Sequence, residues 1–505
     1  MSKEIELKLR LSPAQARRLQ SCKVLSGLQP QKYRLLNTYY DTPDFDLRQR
    51  GVAVRFRRKG WAVWLMTVKA GAPSAGGLAQ RSEWEAPTQA GVFDFSIVTD
   101  AKLRAFLASH QAQLQAVFST DFTRTTWMLN QAGAIVELAL DRGRINVPGV
   151  GKAPRSEALC ELELELLEGE SPDPLFNLAI ALAADLQLHP EIVSKAERGY
   201  ALADDAAANP VKALASSVEK SMTPVEAFRS IALSCLMQLQ GNEAGAIAGD
   251  NPEYVHQARV AIRRLRSAFN LFTPVLNQRF VEIYSSRWKQ LAGGLGSARD
   301  WDVFLTETLA PLEEAFPGDA DLAVLRARGE ATKAKAQASA GVALKQKAYS
   351  QLLLAFSAAL FRVEPPTIDA QCKSSALSLR KFAVRRLYKR AQMIERLVSE
   401  HGKMNAERRH DLRIAFKKLR YALEFFAPIL PRKRLAACQA SLAMIQNLLG
   451  TLNDQVTASR LIKQMHPKSD PDPLSRGWIA GRTQLLVAAL NDELRGFTAS
   501  RKPWP

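Results

Sequence analysis

Apolar and polar residues alternate with period two along much of the first 200 residues. The chain begins MSKEIELKLRL, in which Ile5, Leu7 and Leu9 alternate with charged residues. This period is typical of a β-strand with one apolar and one polar face. Eight runs of this character predict strands: EIELKLRL, RLLNTYYD, GVAVRFRRK, WAVWLMTVKA, QRSEWEAP, TTWMLN, AIVELALDRGRI and CELELELL. Two helical segments, SPAQARRLQ and DPLFNLAIALAADL, interrupt them, so we predict an α+β domain with a largely antiparallel sheet.

The pattern changes to helical spacing after a polar, alanine-rich stretch, ADDAAANPVKALASS, which follows Tyr200. Long segments rich in Ala, Leu, Lys and Arg then dominate, with breaks at GDNPE, FPGD, VEPPT and SDPDP. We therefore predict a strand-rich domain at 1–202, a linker at 203–220 and an all-α domain at 221–500.

The helical part of the sequence repeats itself. The segment HQARVAIRRLR from His256 returns as HDLRIAFKKLR from His410, an offset of 154 residues. The segment LGSARDWDV from Leu295 returns as LGTLNDQV from Leu449 at the same offset. Two matches at one offset predict two pseudo-symmetric halves, about 221–363 and 367–500, joined near Val363 to Pro366.

The net charge of +19 is unevenly distributed over the 505 residues. Residues 1–200 hold 25 Lys and Arg against 22 Asp and Glu, and the remainder holds 44 against 28. A surplus of this size attracts polyanions such as nucleic acid, inorganic polyphosphate or an anionic membrane surface.

Other chemistry-bearing residues exclude some classes of protein. The five cysteines are far apart and the six histidines form no H-x-x-x-H pair, which argues against a disulfide framework and a zinc site. The N-terminus is charged from residue 3, and no run of about 18 apolar residues occurs. We expect a cytoplasmic protein without a membrane segment.

Charged residues recur in phase on the polar faces of four strands. Carboxylates dominate some of these faces and guanidinium groups dominate others, whereas a merely solvated face carries mixed polar residues. We therefore expect the strands to close into a barrel with the charges inside and the apolar faces under covering helices. Hard carboxylate oxygens favour Mg²⁺ or Mn²⁺, and guanidinium groups match phosphate oxygens. A short phosphate chain that binds together with a divalent metal would match both the carboxylates and the guanidinium groups.

Ordered motifs over residues 1–200 resemble the CYTH superfamily. They are EIELK at 4–8, YYDT at 39–42, R-x-R at Arg55 and Arg57, VK at Lys69, RSEWE at 81–85, ALDRG at 139–143, ELELEL at 161–166 and SKAERGY at 194–200. The resemblance implies the triphosphate tunnel fold, an eight-stranded antiparallel β tunnel that hydrolyses or cyclises triphosphates with Mg²⁺ or Mn²⁺.

The same resemblance implies roles for individual residues. Glu4 and Glu6 look like metal ligands, with the choice among Glu161, Glu163 and Glu165 left open. The triphosphate clamp would be Lys8, Arg55, Arg57, Lys69, Arg81, Arg124 and Lys195. Asp141 resembles an acidic residue of the tunnel, and Glu83 and Glu85 would support a second metal or orient basic neighbours. For catalysis we expect Glu4, Glu6, Lys8, Arg57, Lys69 and Asp141 to act without a covalent nucleophile, releasing pyrophosphate and orthophosphate.

The repeated helical segments carry matching basic stripes. His256, Arg259, Arg263 and Arg266 lie on one helix face, and His410, Arg413, Lys417 and Arg420 reproduce it. One such stripe is usually only a solvated face, but two copies indicate a shared anion-binding surface. These motifs resemble the CHAD domain over about 220–500, which implies binding of polyphosphate or other phosphate-rich anions along the basic surface. The candidate contacts are His256, Arg259, Arg263, Arg264, Arg266, His410, Arg413, Lys417, Lys418 and Arg420. Arg299-Asp300 and Asn453-Asp454 would buttress helices or bind ligand.

The leading prediction is a metal-dependent inorganic triphosphatase whose basic helical domain binds polyphosphate, in the cytoplasm and in association with polyphosphate granules. Adenylate cyclase is the alternative within the enzyme class, although the sequence shows no adenine pocket. Outside the enzyme class, the alternative is a polyphosphate-binding scaffold protein with weak hydrolase activity. Nucleic-acid binding is disfavoured because no aromatic residues interleave the basic stripes.

Overall fold

The chain folds into two compact units. The computed structural model describes residues 2–59, 63–71, 74–149, 153–204, 209–362, 378–399, 404–465, 473–499 and 502–504. The tunnel unit comprises residues 1–209 and 346–362, and the helical unit comprises residues 210–345 and 363–505. The predicted joint near Val363 to Pro366 lies outside the described residues.

A closed antiparallel barrel forms the tunnel unit. Its eight strands follow the order β5-β4-β3-β2-β6-β7-β8-β1, and β1 pairs with β5 to close it. A two-residue strand, β9, adds to β1 at Leu9 and Arg10. The strands are β1 Ser2–Arg10, β2 Gln31–Asp41, β3 Val52–Lys59, β4 Val63–Ala70, β5 Leu78–Pro87, β6 Gln115–Gln131, β7 Ala134–Val147, β8 Arg155–Glu168 and β9 His189–Pro190. Each of the eight predicted runs overlaps one strand from β1 to β8, which confirms the fold class.

Helices accompany the barrel and the helical unit. Those of the tunnel unit are α1 Pro13–Arg18, α2 Asp46–Gln49, α3 Ala101–His110, α4 Asp173–Asp185, α5 Lys195–Asp204 and α13 Lys347–Arg362. Those of the helical unit are α6 Pro224–Gln240, α7 Glu243–Ala248, α8 Pro252–Phe272, α9 Gln278–Gly294, α10 Gly296–Val303, α11 Ala310–Ala315, α12 Ala320–Lys345, α14 Leu379–Ser399, α15 Ala406–Phe426, α16 Arg432–Met465 and α17 Pro473–Ala499. A π-helical turn, Phe304–Leu309, joins α10 to α11.

The outward-facing side chains of β1 pack in a hydrophobic core and are not exposed to solvent. Leu7 and Leu9 are fully buried, and they belong to one cluster with Phe176 of α4 and Leu354 of α13. The rings of Phe176 and Phe361 stack 5.6 Å apart, which ties α4 to α13 directly. The apolar face of the barrel therefore points outward under helices, as the alternation predicts.

α13 comes from the range predicted as helical domain, yet it packs within the tunnel unit. Its Ser350 hydroxyl lies 3.0 Å from His189 Nδ1 of β9, and Lys347 Nζ donates to the Ala184 carbonyl at 2.7 Å. Arg362 pairs with Asp173 at the start of α4, at 2.7 Å. The tunnel unit is thus built from two separate stretches of the sequence.

The helical unit shows the repeat in its element boundaries. α8 runs from 252 to 272 and α15 from 406 to 426, an offset of 154 residues at both ends. Short 3₁₀ turns at 273–275 and 427–429 follow them at the same offset. By length and composition alone, α16 is apolar enough to cross a membrane, a test that the core helix of a soluble protein also passes. It packs between α15 and α17 as a member of the helical unit.

Candidate active site and anion-binding pocket

Strand register aligns the charged residues inside the barrel. Glu4 of β1 pairs with Arg81 of β5, while Glu6 and Lys8 pair with Glu165 and Glu163 of β8. Because successive side chains alternate between faces, these residues share the interior. The opening EIELK motif therefore contributes three charged groups to one surface.

The interior encloses a cavity of about 450 Å³. Among the predicted site residues, those that line it are Glu4, Glu6, Lys8, Arg55, Arg57, Lys69, Arg81, Arg124, Glu163, Glu165 and Lys195. Glu83 and Glu85 line it as well. Asp141 and Glu161 are not among the lining residues, because they lie buried behind Arg124 and Lys195.

Arg55 and Arg57 form the cationic side of the cavity, on β3. Arg57 Nε donates to Asn37 Oδ1 at 3.0 Å, and Arg55 Nη1 donates to the Tyr39 hydroxyl at 3.3 Å. Burial, followed by the neighbouring charges of Arg55 and Arg124, lowers the pKa of Arg57 to about 10. A bound anion would relieve this repulsion, so the site favours a multiply charged anion.

A buried ion cluster holds the base of the cavity. Arg124 forms a bidentate pair with Asp141, at 2.8 and 2.7 Å, and its Nη2 lies 2.5 Å from Glu163 Oε2. Lys195 of α5 contacts Asp141 and Glu163, each at 2.8 Å, and Glu161. Although burial opposes it, Lys195 and Arg124 hold the pKa of Glu163 well below its usual range. Asp141 therefore positions the two cations.

Carboxylates on β1 and β8 offer the donor set for a divalent cation. Lys69 bonds to Glu4 at 2.6 Å and Lys8 pairs with Glu6 at 3.0 Å. Burial and the charge of Glu4 raise the pKa of Glu165 to about 7, although Lys69 opposes the shift. Crowded carboxylate oxygens of this kind suit Mg²⁺ or Mn²⁺, which would offset their repulsion. Asp141, Glu161 and Glu163 also bring ligand atoms within 4.8 Å of one another, but Lys195 occupies that space.

Several lining residues were not predicted. Tyr33, Phe122, Glu137 and Ser194 line the cavity, and so does Tyr39, whose ring stacks on Phe118 at 4.5 Å. Phe118 belongs to an apolar cluster with Ile145, Val147 and Tyr200 that fills one part of the interior. Tyr33 and Tyr39 share the period-two phase of Asn37 on β2, so alternation places them on one face, and barrel closure turns that face inward.

A second polar cavity, of about 380 Å³, lies in the helical unit. Equivalent residues of the two halves line it, so we call it the repeat pocket. They are Arg259, Arg263, Arg299 and Asp300 with their counterparts Arg413, Lys417, Asn453 and Asp454, joined by His256 and Asn447 among others. The two predicted stripes therefore meet, and Arg299-Asp300 and Asn453-Asp454 line the same pocket.

Burial and electrostatic crowding lower the pKa of two side chains in the repeat pocket. Burial, together with Arg263, Arg413 and Arg420, lowers the pKa of Lys417 to about 7. Burial and Arg299 lower the pKa of His256 to about 4, although Glu253 opposes the shift. Both groups would bind a proton more readily once an anion entered the pocket.

Five predicted contacts lie outside the repeat pocket. Arg264 is only 4% exposed and donates to Gln238 Oε1 at 3.1 Å, so it stabilises the packing of α8 on α6. Arg420 pairs with Glu424 at 3.4 Å and lies over the Tyr421 ring. Arg266 and His410 are exposed, and Lys418 lies near Arg390 of α14.

Family models match both parts of the chain. The model for the CYTH domain matches residues 2–200, and the model for the CHAD domain matches residues 230–463. The chain contains a CYTH domain followed by a CHAD domain. The tunnel cavity belongs to the CYTH domain, and the repeat pocket belongs to the CHAD domain.

Individual relatives cover each domain separately. The CYTH domain is similar to an inorganic triphosphatase of Haemophilus influenzae, with 34% identity over 206 residues, or 40% of this chain and 55% of that protein. The chain thus spans about half the length of this curated relative. The CHAD domain is similar to a crystallised CHAD domain from the plant Ricinus communis, with 29% identity, 59% and 99% coverage of the two chains and a TM-score of 0.51.

Proposed function

We propose that the CYTH domain hydrolyses inorganic triphosphate to pyrophosphate and orthophosphate with Mg²⁺ or Mn²⁺. The observation that carries this proposal is the division of charge in the 450 Å³ cavity, with Arg55 and Arg57 on one side and Glu4, Glu6 and Glu165 on another. An anion that arrives with a divalent cation matches both sides. The similarity to an inorganic triphosphatase supports a phosphoanhydride as the substrate.

The side chains of the cavity have distinct tasks in this mechanism. Glu4, Glu6, Glu163 and Glu165 would hold the divalent cation, which supplies charge neutralisation of the phosphates and activation of water. Arg55, Arg57 and Arg81 bind the equatorial phosphate oxygens and stabilise the charge that develops in transfer. Arg124 and Lys195, fixed by Asp141, hold the opposite end of the phosphate chain in line.

Phosphate release from triphosphate tests the proposal. The wild-type chain should release phosphate only with Mg²⁺ or Mn²⁺. Arg57→Ala should reduce the rate by about 100-fold, because an arginine aimed at developing charge contributes that much. Glu6→Ala should raise the metal concentration required by about 10- to 100-fold.

A neighbouring residue provides the matched control. Arg58 follows Arg57 on β3 but lies over the Trp64 ring at 5.8 Å and does not line the cavity. Arg58→Ala removes the same charge and should leave the rate within about twofold, since it contacts no substrate. Equal losses in Arg57→Ala and Arg58→Ala, or faster turnover of ATP than of triphosphate, would refute the assignment.

We also propose that the CHAD domain binds inorganic polyphosphate in the repeat pocket and that the protein is cytoplasmic. The convergence of Arg259, Arg263, Arg413 and Lys417 from both halves supports the first statement. Arg263→Gln with Arg413→Gln should weaken long-chain polyphosphate binding by the full-length protein at ~0.15 M salt, where weak nonspecific contacts are screened. Stronger binding of duplex DNA than of polyphosphate would count against it.

A further inference from the structure

A second group of cations in the helical unit contacts the backbone carbonyl and the side chain of Asn270, near the C-terminal end of α8. Arg386 Nη2 donates to the Asn270 carbonyl at 3.0 Å, and Arg390 Nη2 donates to Asn270 Oδ1 at 3.2 Å. Lys418 of α15 lies close enough to Arg390 for that charge to lower its pKa, after the effect of burial. We call Asn270, Arg386, Arg390 and Lys418 the Asn270 cluster.

The charge of the Asn270 cluster is uncompensated. Among the described residues, no carboxylate forms an ion pair with Arg386, Arg390 or Lys418, whereas Asp300 pairs with Arg259 in the repeat pocket. α14 itself carries seven basic residues and one acidic residue. Burial, followed by Arg386, lowers the pKa of Arg390 to about 10. Like charges held this close indicate that an anion belongs between them.

Buried hydrogen-bond donors without a partner also support an anion site in the Asn270 cluster. The Nε atoms of Arg386 and Arg390 are buried and have no partner among the described residues. A buried donor without a partner costs free energy, and guanidinium groups recognise phosphate oxygens through several donors at once. The cluster therefore carries unsatisfied donors as well as uncompensated charge.

Helix geometry connects the cluster to the repeat pocket. Asn270 lies seven residues after Arg263, which places both on one face of α8 about 10 Å apart along the axis. The exposed side chain of Arg266 lies on the same face between them. In the second half, the residue equivalent to Asn270 is Glu424, which pairs with Arg420. Among the described residues, the second half therefore has no counterpart of the Asn270 cluster.

We propose that Arg386, Arg390 and Lys418 form a second phosphate-binding site, and that a polyphosphate chain seated in the repeat pocket follows the α8 face to reach it. This inference rests on polyphosphate binding in the repeat pocket. It predicts selection for chain length, because a triphosphate that occupies the pocket cannot span a further ~10 Å along α8.

Polyphosphate binding as a function of chain length tests the inference. The full-length protein would carry Arg57→Gln to weaken tunnel binding, with EDTA present to prevent metal-dependent hydrolysis. Arg386→Gln with Arg390→Gln should weaken binding of a chain of about 100 phosphates by about tenfold, since two charge-assisted contacts are lost. Triphosphate binding should stay within about twofold.

A charge-matched double variant on the same helix serves as the control. Lys381 and Arg385 are exposed on α14 and lie about 100° or more around the helix from Arg386 and Arg390. Lys381→Gln with Arg385→Gln removes two charges and should change long-chain binding by less than about threefold, as a general electrostatic effect.

The outcomes separate this inference from the proposal on which it rests. If the wild-type protein binds neither ligand, polyphosphate binding itself fails. If Arg263→Gln with Arg413→Gln weakens binding but Arg386→Gln with Arg390→Gln matches the control, only the second site is refuted. Equal losses for triphosphate and the long chain, or a loss confined to duplex DNA, would also overturn it.

Discussion

Lys417 lies among three arginine side chains in and beside the repeat pocket. Arg263 faces it from α8, Arg413 and Arg420 lie on its own helix, and Asp454 faces it from α16. Because its pKa is about 7 without ligand, the amine is partly neutral at physiological pH. A bound anion raises that pKa, so anion binding is coupled to the uptake of a proton.

The affinity of the repeat pocket for polyphosphate should therefore decrease as the pH rises above about 7. The ammonium form binds better, so the full contribution of Lys417 is present below the pKa of the free protein. This contribution is lost as the pH rises through the pKa of Lys417 in the complex. Because only one proton is taken up, the affinity changes by at most about tenfold per pH unit.

Isothermal titration between pH 6 and 9 measures this slope. Lys417→Arg keeps the charge at every pH in this range and should flatten the profile. Lys433→Arg, an exposed position on α16, is the matched control and should retain it. Identical profiles for both variants would assign the pH dependence to the ligand instead.

Most site residues could be predicted because they are charged. Uncharged residues that line the cavity could not be predicted in this way. In the tunnel, Glu4, Arg55 and Arg57 stood out because charges in phase on a strand need an explanation. Tyr39 did not, because an aromatic residue in a strand is ordinary in a core. The tyrosine lines the cavity only because β2 and β6 turn their shared face inward, which depends on barrel closure.

At the scale of elements, α5 packs closely against the barrel interior because residue 199 is a glycine. A Cβ atom at Gly199 would lie 2.1 Å from the Phe118 ring, and Lys195 begins the same helix. Gly199→Ala should displace α5 and reduce the free energy of unfolding by about 1–3 kcal/mol, because the contact is overpacked. Urea denaturation measures the loss, and phosphate release should fall with it as Lys195 moves.

Two further variants make that experiment decisive. Phe118→Leu in the Gly199→Ala background should recover part of the stability by creating space. Gly450 is also helical but has open space around its Cβ position, so Gly450→Ala should not destabilise the protein. A Gly199→Ala protein with unchanged stability and rate would contradict the proposed packing.

Periodicity identified the strands but not every helix. All eight barrel strands followed from period two, since each strand separates an apolar face from a charged face. α3, residues Ala101–His110, has no counterpart among the predicted segments. Only Leu107 of this short helix is fully buried, so its sequence carries a weak amphipathic signal.

At the scale of the whole molecule, the stability of the barrel depends on α13. Leu354 is 1% exposed within the cluster that covers β1. Leu354→Ala should lower the free energy of unfolding by about 2–5 kcal/mol, as a cavity in a core does. Hydrogen exchange of the β1 amides would report this loss within the tunnel unit.

An exposed leucine provides the comparison. Leu485 is 75% exposed on α17, so Leu485→Ala should change stability by less than about 0.5 kcal/mol. If Leu354→Ala weakens protection only in the helical unit and leaves β1 unchanged, the assignment of α13 to the tunnel unit is wrong.

The partner of α13 could not be predicted from sequence. Its apolar face has ordinary helical spacing, and nothing local distinguishes β1 and α4 from the neighbouring helices as its contact. The repeat offset likewise identified two halves, while residues 346–362 fall between the matched segments. Contacts between distant parts of a chain leave no periodic signal.

The discontinuity of the tunnel unit has a consequence during synthesis on the ribosome. Residues 210–345, which number 136, emerge between the barrel strands and α13. At about 5–20 residues per second this interval lasts about 7–27 seconds. During that time the nascent barrel exposes the apolar surface that Leu354 and Ala358 later cover. Chaperone binding and aggregation of the nascent chain should therefore concentrate in this interval.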